Sequence, residues 1–186
     1  MKDLFRGKLV RLTSEEPEFL AKNEVRWQRD SEFRRLSDSD PTNVTSEKKI
    51  KEWMEKRMEE PKPDGFPFSI RTLEDDKLIG FIGLWTNPVH GEGWVGIGIG
   101  EREYWGKGYG TDAMRLILQY AFTEINLQRV SLALHSYNER GLKSYQKAGF
   151  QLEGRTRGDQ HREGKRTDTL WMGILRDEWF DLGTSR

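Results

Sequence analysis

The residues with the clearest chemical meaning lie in the stretch GIGIGEREYWGKGYGTDAM, residues 96–114, where six glycines fall within 15 positions. Glycine loses more backbone freedom on folding than any other residue, so such a run needs a local reason. Gly106, Gly108 and Gly110 precede and enter a helix. A glycine-rich turn ahead of a helix aims several N–H groups at one spot, where the positive end of the helix dipole adds attraction. That chemistry is anion binding, most naturally of a phosphate. Two common nucleotide signatures do not match. Thr111 stands where G-x-G-x-x-G needs its third glycine, and no acidic residue closes a second strand about 20 residues on. Read as a G-x-x-x-x-G-K-[ST] loop, the stretch has Glu101 at the first glycine and Gly108 after the lysine.

The upstream glycines pose a separate question. In a regular strand over 94–100, Gly96, Gly98 and Gly100 share one face and Val95, Ile97 and Ile99 the other. The expectation is that the bare face admits something narrow. The alternative is that a helix or an aromatic ring packs there. A bulge near Gly98 or Gly100 would free a backbone polar group from the ladder.

The elements that must position these residues follow from periodicity. KLVRL (8–12) reads as a first strand, and 16–29 and 46–60 read as helices. In the second helix Ile50, Met54 and Met58 recur every four residues, Thr45 or Ser46 caps the start, and EEPKPDGFP ends it. The intervening SEFRRLSDSDPTNV reads as polar and flexible. Residues 66–72 and 77–85 form a hairpin around LEDD, followed by a turn, TNPVHGEG, and the strand WVGIGIG. Residues 111–125 carry an apolar stripe of Met114, Leu118, Ala121 and Phe122. A strand at 129–134, a short helix stopped by Gly149, and two strands around QHREGK complete the chain. Helices alternating with strands predict an α/β or α+β fold with a central mixed sheet.

Composition narrows the function classes. Lys plus Arg is 31 and Asp plus Glu is 31 in 186 residues, so the chain lacks the basic excess of a general nucleic-acid binder. There is no cysteine, hence no disulfide, no thiolate metal site and no thiol nucleophile. His90, His135 and His161 lack zinc-ligand spacing, so no metal is expected. MKDLFRGKLVRL has no long apolar run, and no segment approaches the ~20 apolar residues of a membrane helix. The expectation is a cytoplasmic protein without a membrane or nucleic-acid partner.

YWGKGYGT after a glycine-bearing strand, and NERGLKSYQKAGF about thirty residues later, resemble motifs A and B of the GNAT family of acetyl-CoA-dependent N-acetyltransferases. The motif A pattern, Arg/Gln-x-x-Gly-x-Gly/Ala, maps onto Trp105, Gly108 and Gly110. Trp105 departs from Arg/Gln, a departure found in the branch resembling the RimJ/RimL ribosomal-protein N-terminal acetyltransferases, which DTLWMGILRDEW also resembles. The resemblance covers nearly the whole chain. It implies a single domain over 1–186, a mixed sheet of about seven strands and about four flanking helices, and acetyl-CoA as co-substrate. Two adjacent parallel strands, 94–100 and 129–134, would splay to admit the pantetheine arm, with Ile97 and Ile99 beside it. The pyrophosphate would lie on the N–H groups of Trp105, Gly106, Lys107, Gly108, Tyr109, Gly110 and Thr111. Lys107 either adds charge there or is a solvated loop lysine. A homodimer is a further implication.

Direct acetyl transfer needs a neutral attacking amine, stabilisation of the thioester oxygen and protonation of the leaving thiolate. No GxSxG elbow is present, in keeping with direct transfer. The resemblance assigns Tyr145 as general acid beside the CoA sulfur, Asn138 as a hydrogen bond to the pantetheine arm, and Gly141 as a point of close approach. Asn138 reads equally as a helix N-cap, and Tyr145 as a core tyrosine. Glu101, His135, Asp30 and Glu32 are candidates for the base, and ordered water can replace them. The acceptor side would be walled by Trp27, Arg34, Arg35 and Leu36, and by Arg155, Arg157, His161, Arg162, Lys165 and Arg166. Those cations either recognise an acidic acceptor or belong to an exposed hairpin balanced by Asp159, Glu163 and Asp168, and the second reading is favoured. A polyamine would want acids instead, for which SDSD with Glu32 is the nearest source. The acceptor is left open among protein N-termini, polyamines, amino sugars and antibiotics. A catalytically inactive CoA-binding module and an interaction protein are the other classes.

Overall fold

Apolar alternation in seven segments builds one mixed sheet in a computed structural model that describes residues 3–59 and 64–183. The strands are β1 (Val10–Thr13), β2 (Gly65–Thr72), β3 (Leu78–Asn87), β4 (Glu92–Ile99), β5 (Arg129–His135), β6 (Gln151–Arg162) and β7 (Lys165–Leu175). Their order across the sheet is β1-β2-β3-β4-β5-β7-β6. Every pairing is antiparallel except β4 with β5. The helices are α1 (Pro17–Gln28), α2 (Ser31–Ser37), α3 (Glu47–Glu59), α4 (Tyr109–Thr123), α5 (Glu139–Ala148) and α6 (Arg176–Asp181). No helix among the described residues is long and apolar enough to cross a membrane.

The core lies between the sheet and α4. Ala113, Met114, Ile117, Leu118, Ala121 and Phe122 are fully buried against Ile82, Leu84, Val95, Val130 and Met172. The predicted stripe is therefore the face that holds the sheet together. Gly149 ends α5 at φ 107°, the left-handed cap expected of it. Ser46 rather than Thr45 serves α3, accepting from Lys49 N at 3.3 Å. The stop at 60–63 lies outside the described residues.

Four expectations change. The segment after Arg29 is not irregular throughout: Asp30 accepts from the N–H groups of Glu32 (3.0 Å) and Phe33 (3.2 Å), which starts α2, and buried Phe33 anchors it. Two apolar residues, Phe33 and Leu36, among five polar ones are too few to set a period. The helix count rises from about four to six among the described residues, α2 and α6 being the additions. The first strand runs from Val10 to Thr13, because Asp112 draws the N–H groups of Lys8, Leu9 and Val10 to itself. QHREGK is mostly strand, with only Glu163 and Gly164 at its turn, both at positive φ (51° and 73°) as a two-residue hairpin needs.

Candidate active site

β4 and β5 pair only at Glu92–Arg129, Gly93–Val130 and Trp94–Ser131. Beyond Trp94 the two strands part, although β4 continues to Ile99 and β5 to His135. A cleft of about 850 Å³ opens beside the end of β4 and runs between the N-terminal turns of α4 and α5. Ile97, Gly98 and Ile99 line it from β4, Trp105, Gly106, Gly108, Gly110 and Thr111 from the loop and start of α4, and Asn138, Gly141 and Tyr145 from the start and body of α5.

The loop is shaped as an anion cradle requires. Gly106 (φ 72°) and Gly108 (φ 94°) hold left-handed conformations, and Gly108 is the residue at which α4 begins. Gly110 matters for space. A Cβ there would reach 3.7 Å from Ile99, 3.8 Å from Ser144 and 3.9 Å from Ile97, filling the gap without displacing protein atoms. Bare backbone at this point suits a narrow chain ending in phosphates. Two predicted residues stand apart: Lys107 is exposed and, like Tyr109, is outside the cleft lining. The Tyr109 ring packs edge-on against Tyr104 at 4.9 Å, which turns it toward the core.

The glycine face of β4 is not open. The Trp85 ring lies over Gly96, the Phe81 and Phe33 rings over Gly98, and the Trp27 ring over Gly100. The aromatic alternative therefore holds for all three. The ladder with β3 is regular from Glu92 to Ile99. At its end the N–H groups of Gly100 (2.8 Å) and Glu101 (3.3 Å) converge on the carbonyl of Ile79, a doubled contact of the bulge kind.

On α5, Asn138 Oδ1 accepts from Gly141 N at 2.9 Å, and Nδ2 donates to the Leu36 carbonyl at 3.4 Å. Asn138 is thus an N-cap, and Gly141 is explained by it: a Cβ at 141 would meet the Asn138 amide at 2.8 Å. Thr111 and Ser144 hydroxyls meet at 2.8 Å across α4 and α5. Tyr145 is half-buried beside them, its ring near Phe150 (6.2 Å), and its hydroxyl has no hydrogen-bond partner among the described residues. Burial pushes its pKa up to about 12, so it holds its proton throughout the physiological range.

The candidate bases are engaged elsewhere. Glu101 is buried and accepts from Arg26 and from Trp27 Nε1 (2.7 Å), with Lys77 Nζ at 3.5 Å. Asp30 caps α2 and, with Glu32, pairs with Arg102; the Arg102 hydrogen bond holds Asp30 below the usual carboxylate range. His135 is buried, stacks on Tyr137 at 5.1 Å, and meets the Asp38 carbonyl through Nε2 at 3.3 Å. Burial lowers its pKa, so the ring is neutral near pH 7.

Three of the seven arginines and lysines expected on the acceptor side are neutralised by carboxylates among the described residues. Arg35 pairs with Glu163 (2.6 Å), Arg155 with Asp168, and Arg34 with Asp38 (3.1 Å), while Arg166 donates to the Gly158 carbonyl (2.8 Å). Trp27 is buried among Phe33 and Phe81 rather than lining a wall. Leu36 and Ser37 do line the cleft. Their segment is strapped down through its carbonyls: Tyr137 Oη donates to Arg35 (2.5 Å), and Arg162 Nη2 to Asp38 (2.7 Å) and Asp40 (3.2 Å). Sequence reasoning missed Lys8, Arg115, Arg140, Lys143, Ser144 and Lys147 in the cleft wall. The helical spacing of 140, 143, 144 and 147 was the available signal.

Comparison with known proteins identifies this architecture. The model of the acetyltransferase (GNAT) domain matches residues 6–151. The chain belongs to that family and carries an acetyltransferase domain. It is 30% identical over 113 residues to the uncharacterised N-acetyltransferase p20 of Bacillus licheniformis, a match spanning 60% of this chain and 63% of that one. It is 33% identical over 131 residues to the probable N-acetyltransferase YjcK of Bacillus subtilis, spanning 69% and 70%. The fold matches the spermidine N-acetyltransferase of Vibrio cholerae, solved with CoA and spermine, with a TM-score of 0.76 over 92% of this chain and 96% of that one at 21% identity. Among the described residues no cluster of three or more His, Asp or Glu could hold a metal.

Proposed function

We propose that this protein transfers the acetyl group of acetyl-CoA directly to a primary amine, with Tyr145 as general acid. The observation that carries the reading is the Tyr145 hydroxyl, protonated, without a protein partner, and set in the wall of the cleft between β4 and β5. The amine nitrogen bonds to the thioester carbon, the C–S bond breaks, and the thiolate takes the Tyr145 proton. The amine's proton leaves to water, because Glu101, Asp30 and Glu32 are held by other partners and His135, whose Nδ1 is unpartnered, is buried outside the cleft lining. The loop from Trp105 to Thr111 holds the pyrophosphate, and Ile97 and Ile99 flank the arm. Asn138 and Gly141 fix the first turn of α5 and line the cleft beside the arm.

The acceptor is a protein or peptide N-terminus or a small amine. A polyamine is supported by the 32% identity, over 77 residues and 41% of each chain, to the spermidine N(1)-acetyltransferase of Escherichia coli. Against it stands the pairing of Asp30, Glu32 and Asp38 with arginines, which leaves little negative charge for a polycation. The RimJ/RimL-like branch, a single domain over 1–186 and a homodimer belong to this reading on the family resemblance, and a cytoplasmic setting on composition.

The test is release of free CoA from acetyl-CoA across polyamines, amino sugars, aminoglycosides and peptides with free Ser, Ala or Asp N-termini. Release with one class names the acceptor, and Tyr145→Phe should then lower kcat about a hundredfold while leaving acetyl-CoA affinity within about twofold. Acetyl-CoA binding without release in any arm favours the inactive CoA-binding module.

A further inference from the structure

The face of the sheet turned away from α4 carries three tryptophans that the chemistry so far leaves unused. Trp85, Trp94 and Trp171 are 37%, 39% and 42% exposed, and they alternate with Leu84, Val95 and Met172, which are buried in the core. Trp94 is the last residue of β4 to pair with β5, opposite Ser131, so it stands where the strands begin to part. Trp85 is its partner on β3, and the Trp85 ring leans along the strand over Gly83 and Gly96, beside the parted length of β4. Trp171 of β7 pairs with Ala133, beside the parted length of β5, and its ring meets that of Trp94 edge-on at 5.8 Å. Trp171 Nε1 donates to Thr156 Oγ1 at 2.8 Å, which fixes the ring. Toward Ile99 the same face is covered by Phe33 of α2 and Trp27 of α1. The three rings thus frame the fork on both sides and at its closed end.

Two observations mark the frame as a place for a ligand. Three exposed rings elsewhere are covered by the protein's own cations: Arg57 lies over Trp53 at 4.8 Å, Arg71 over Phe19 at 5.3 Å and Arg176 over Phe180 at 5.4 Å. No cation lies over Trp85, Trp94 or Trp171 among the described residues. Ser131 is the second. It shares the tryptophan face, because Val130 and Leu132 point into the core, and its hydroxyl is buried without a hydrogen-bond partner among the described residues. A buried hydroxyl left open calls for a polar group from outside the fold.

The charge around the frame narrows the ligand. The acids on β3 to β7 are Glu92, Glu153, Asp159 and Asp168. Glu92 and Glu153 pair with Arg129, and Asp168 with Arg155. Asp159 accepts from the N–H (2.9 Å) and the hydroxyl (2.7 Å) of Thr169, two residues along β7 from Trp171, and has no cation partner among the described residues. An apolar frame with one open carboxylate near its rim suits a single ammonium on an apolar body. It offers too little negative charge to a polycation.

We propose that Trp85, Trp94 and Trp171 form the acceptor site, and that the acceptor is a primary monoamine carried on an apolar, ring-bearing skeleton. The skeleton stacks on the indoles while the nitrogen reaches the gap between β4 and β5, where Ser131 Oγ can accept from it. This rests on the reading of that gap as the seat of the thioester arm and adds to it the class of amine.

The experiment measures free-CoA release from acetyl-CoA by the full chain with 2-phenylethylamine and with spermidine, beside calorimetric titration with acetyl-CoA. Wild-type kcat/KM should be at least about tenfold higher for 2-phenylethylamine. Trp171→Ala should raise the KM for 2-phenylethylamine at least about tenfold with kcat and acetyl-CoA affinity within about twofold, and Trp171→Phe should recover most of the loss. Trp94→Ala, measured in parallel, should behave as Trp171→Ala does, so the test survives if one variant fails to fold. A higher kcat/KM for spermidine, or an unmoved KM in the alanine variants, would overturn the acceptor site while leaving acetyl transfer intact. So would sedimentation that finds a wild-type dimer split by Trp171→Ala, since a second copy of the chain would then cover the rings. Release with no amine, acetyl-CoA being bound, would overturn the transfer reading and the acceptor site with it.

Discussion

Each glycine of the 96–110 run answers to a different neighbour. Gly106 and Gly108 are there for positive φ, Gly110 for an empty space, and Gly96, Gly98 and Gly100 for aromatic rings. Substitution separates these causes. Gly110 has an ordinary backbone within the first turn of α4, so Gly110→Ala should stabilise the free protein by about 0.5–1 kcal/mol. The same methyl would stand between Ile97, Ile99 and Ser144, and acetyl-CoA affinity should fall at least about tenfold. A melting curve and a binding titration on one preparation check both; a destabilised variant or unchanged affinity would contradict the account of this position. Much of this was legible in the sequence, because Gly106, Gly108 and Gly110 precede a strongly periodic helix. The glycine face of β4 was misread for a physical reason: the rings that fill it come from other elements, α1, α2 and the neighbouring strand β3, and alternation within one strand cannot announce them. Gly141 shows the same limit, since the group it makes room for is the Asn138 side chain.

At the scale of elements, α2 and the residues after it depend on donors from the other side of the molecule. Tyr137, Asn138, His135 and Arg162 all reach carbonyls of residues 35–40. His135 makes this strap sensitive to pH. Burial lowers its pKa, and it faces the Asp38 carbonyl, Arg162, whose charge also disfavours a second proton, and Asp159 and Asp38, which favour one. Below pH 6.5 the unfolded chain therefore binds a proton that the folded chain resists, and stability is lost as pH falls through that window. The slope contributed by one such group is at most about 1.4 kcal/mol per pH unit. His135→Gln should flatten the decline in melting temperature between pH 7 and pH 5 relative to wild type. Parallel curves for the two proteins would show that the ring carries no such load. None of this was written in the local sequence. SDSD is a run of turn formers, and the donors to its Asp38 and Asp40 carbonyls are residues 97 or more positions away.

For the whole molecule, the mixed sheet of about seven strands and its splayed parallel pair were foreseen from the family resemblance that YWGKGYGT and NERGLKSYQKAGF carry, whereas the order of the strands was not. Nor was the way the halves are joined. A ligand that binds only the folded state stabilises it by about 2.7 kcal/mol at a hundredfold excess over Kd. For a chain of this size, acetyl-CoA at that excess should raise Tm by about 5–10 °C. A scanning fluorimetry titration checks this, and an unmoved transition would contradict binding at the cleft.

Three residue pairs are all that join β4 to β5. As a beam, the sheet has its narrowest cross-section where it houses the chemistry, and it should flex there first. α4 is the tie rod across that notch: its buried face packs on β1, β3 and β4, and the Phe122 ring meets Trp179 of α6, just after β7, at 5.6 Å. The stiffness of the jaws, and hence how firmly they can hold an arm set between them, is governed by methyl groups and rings that never meet the substrate.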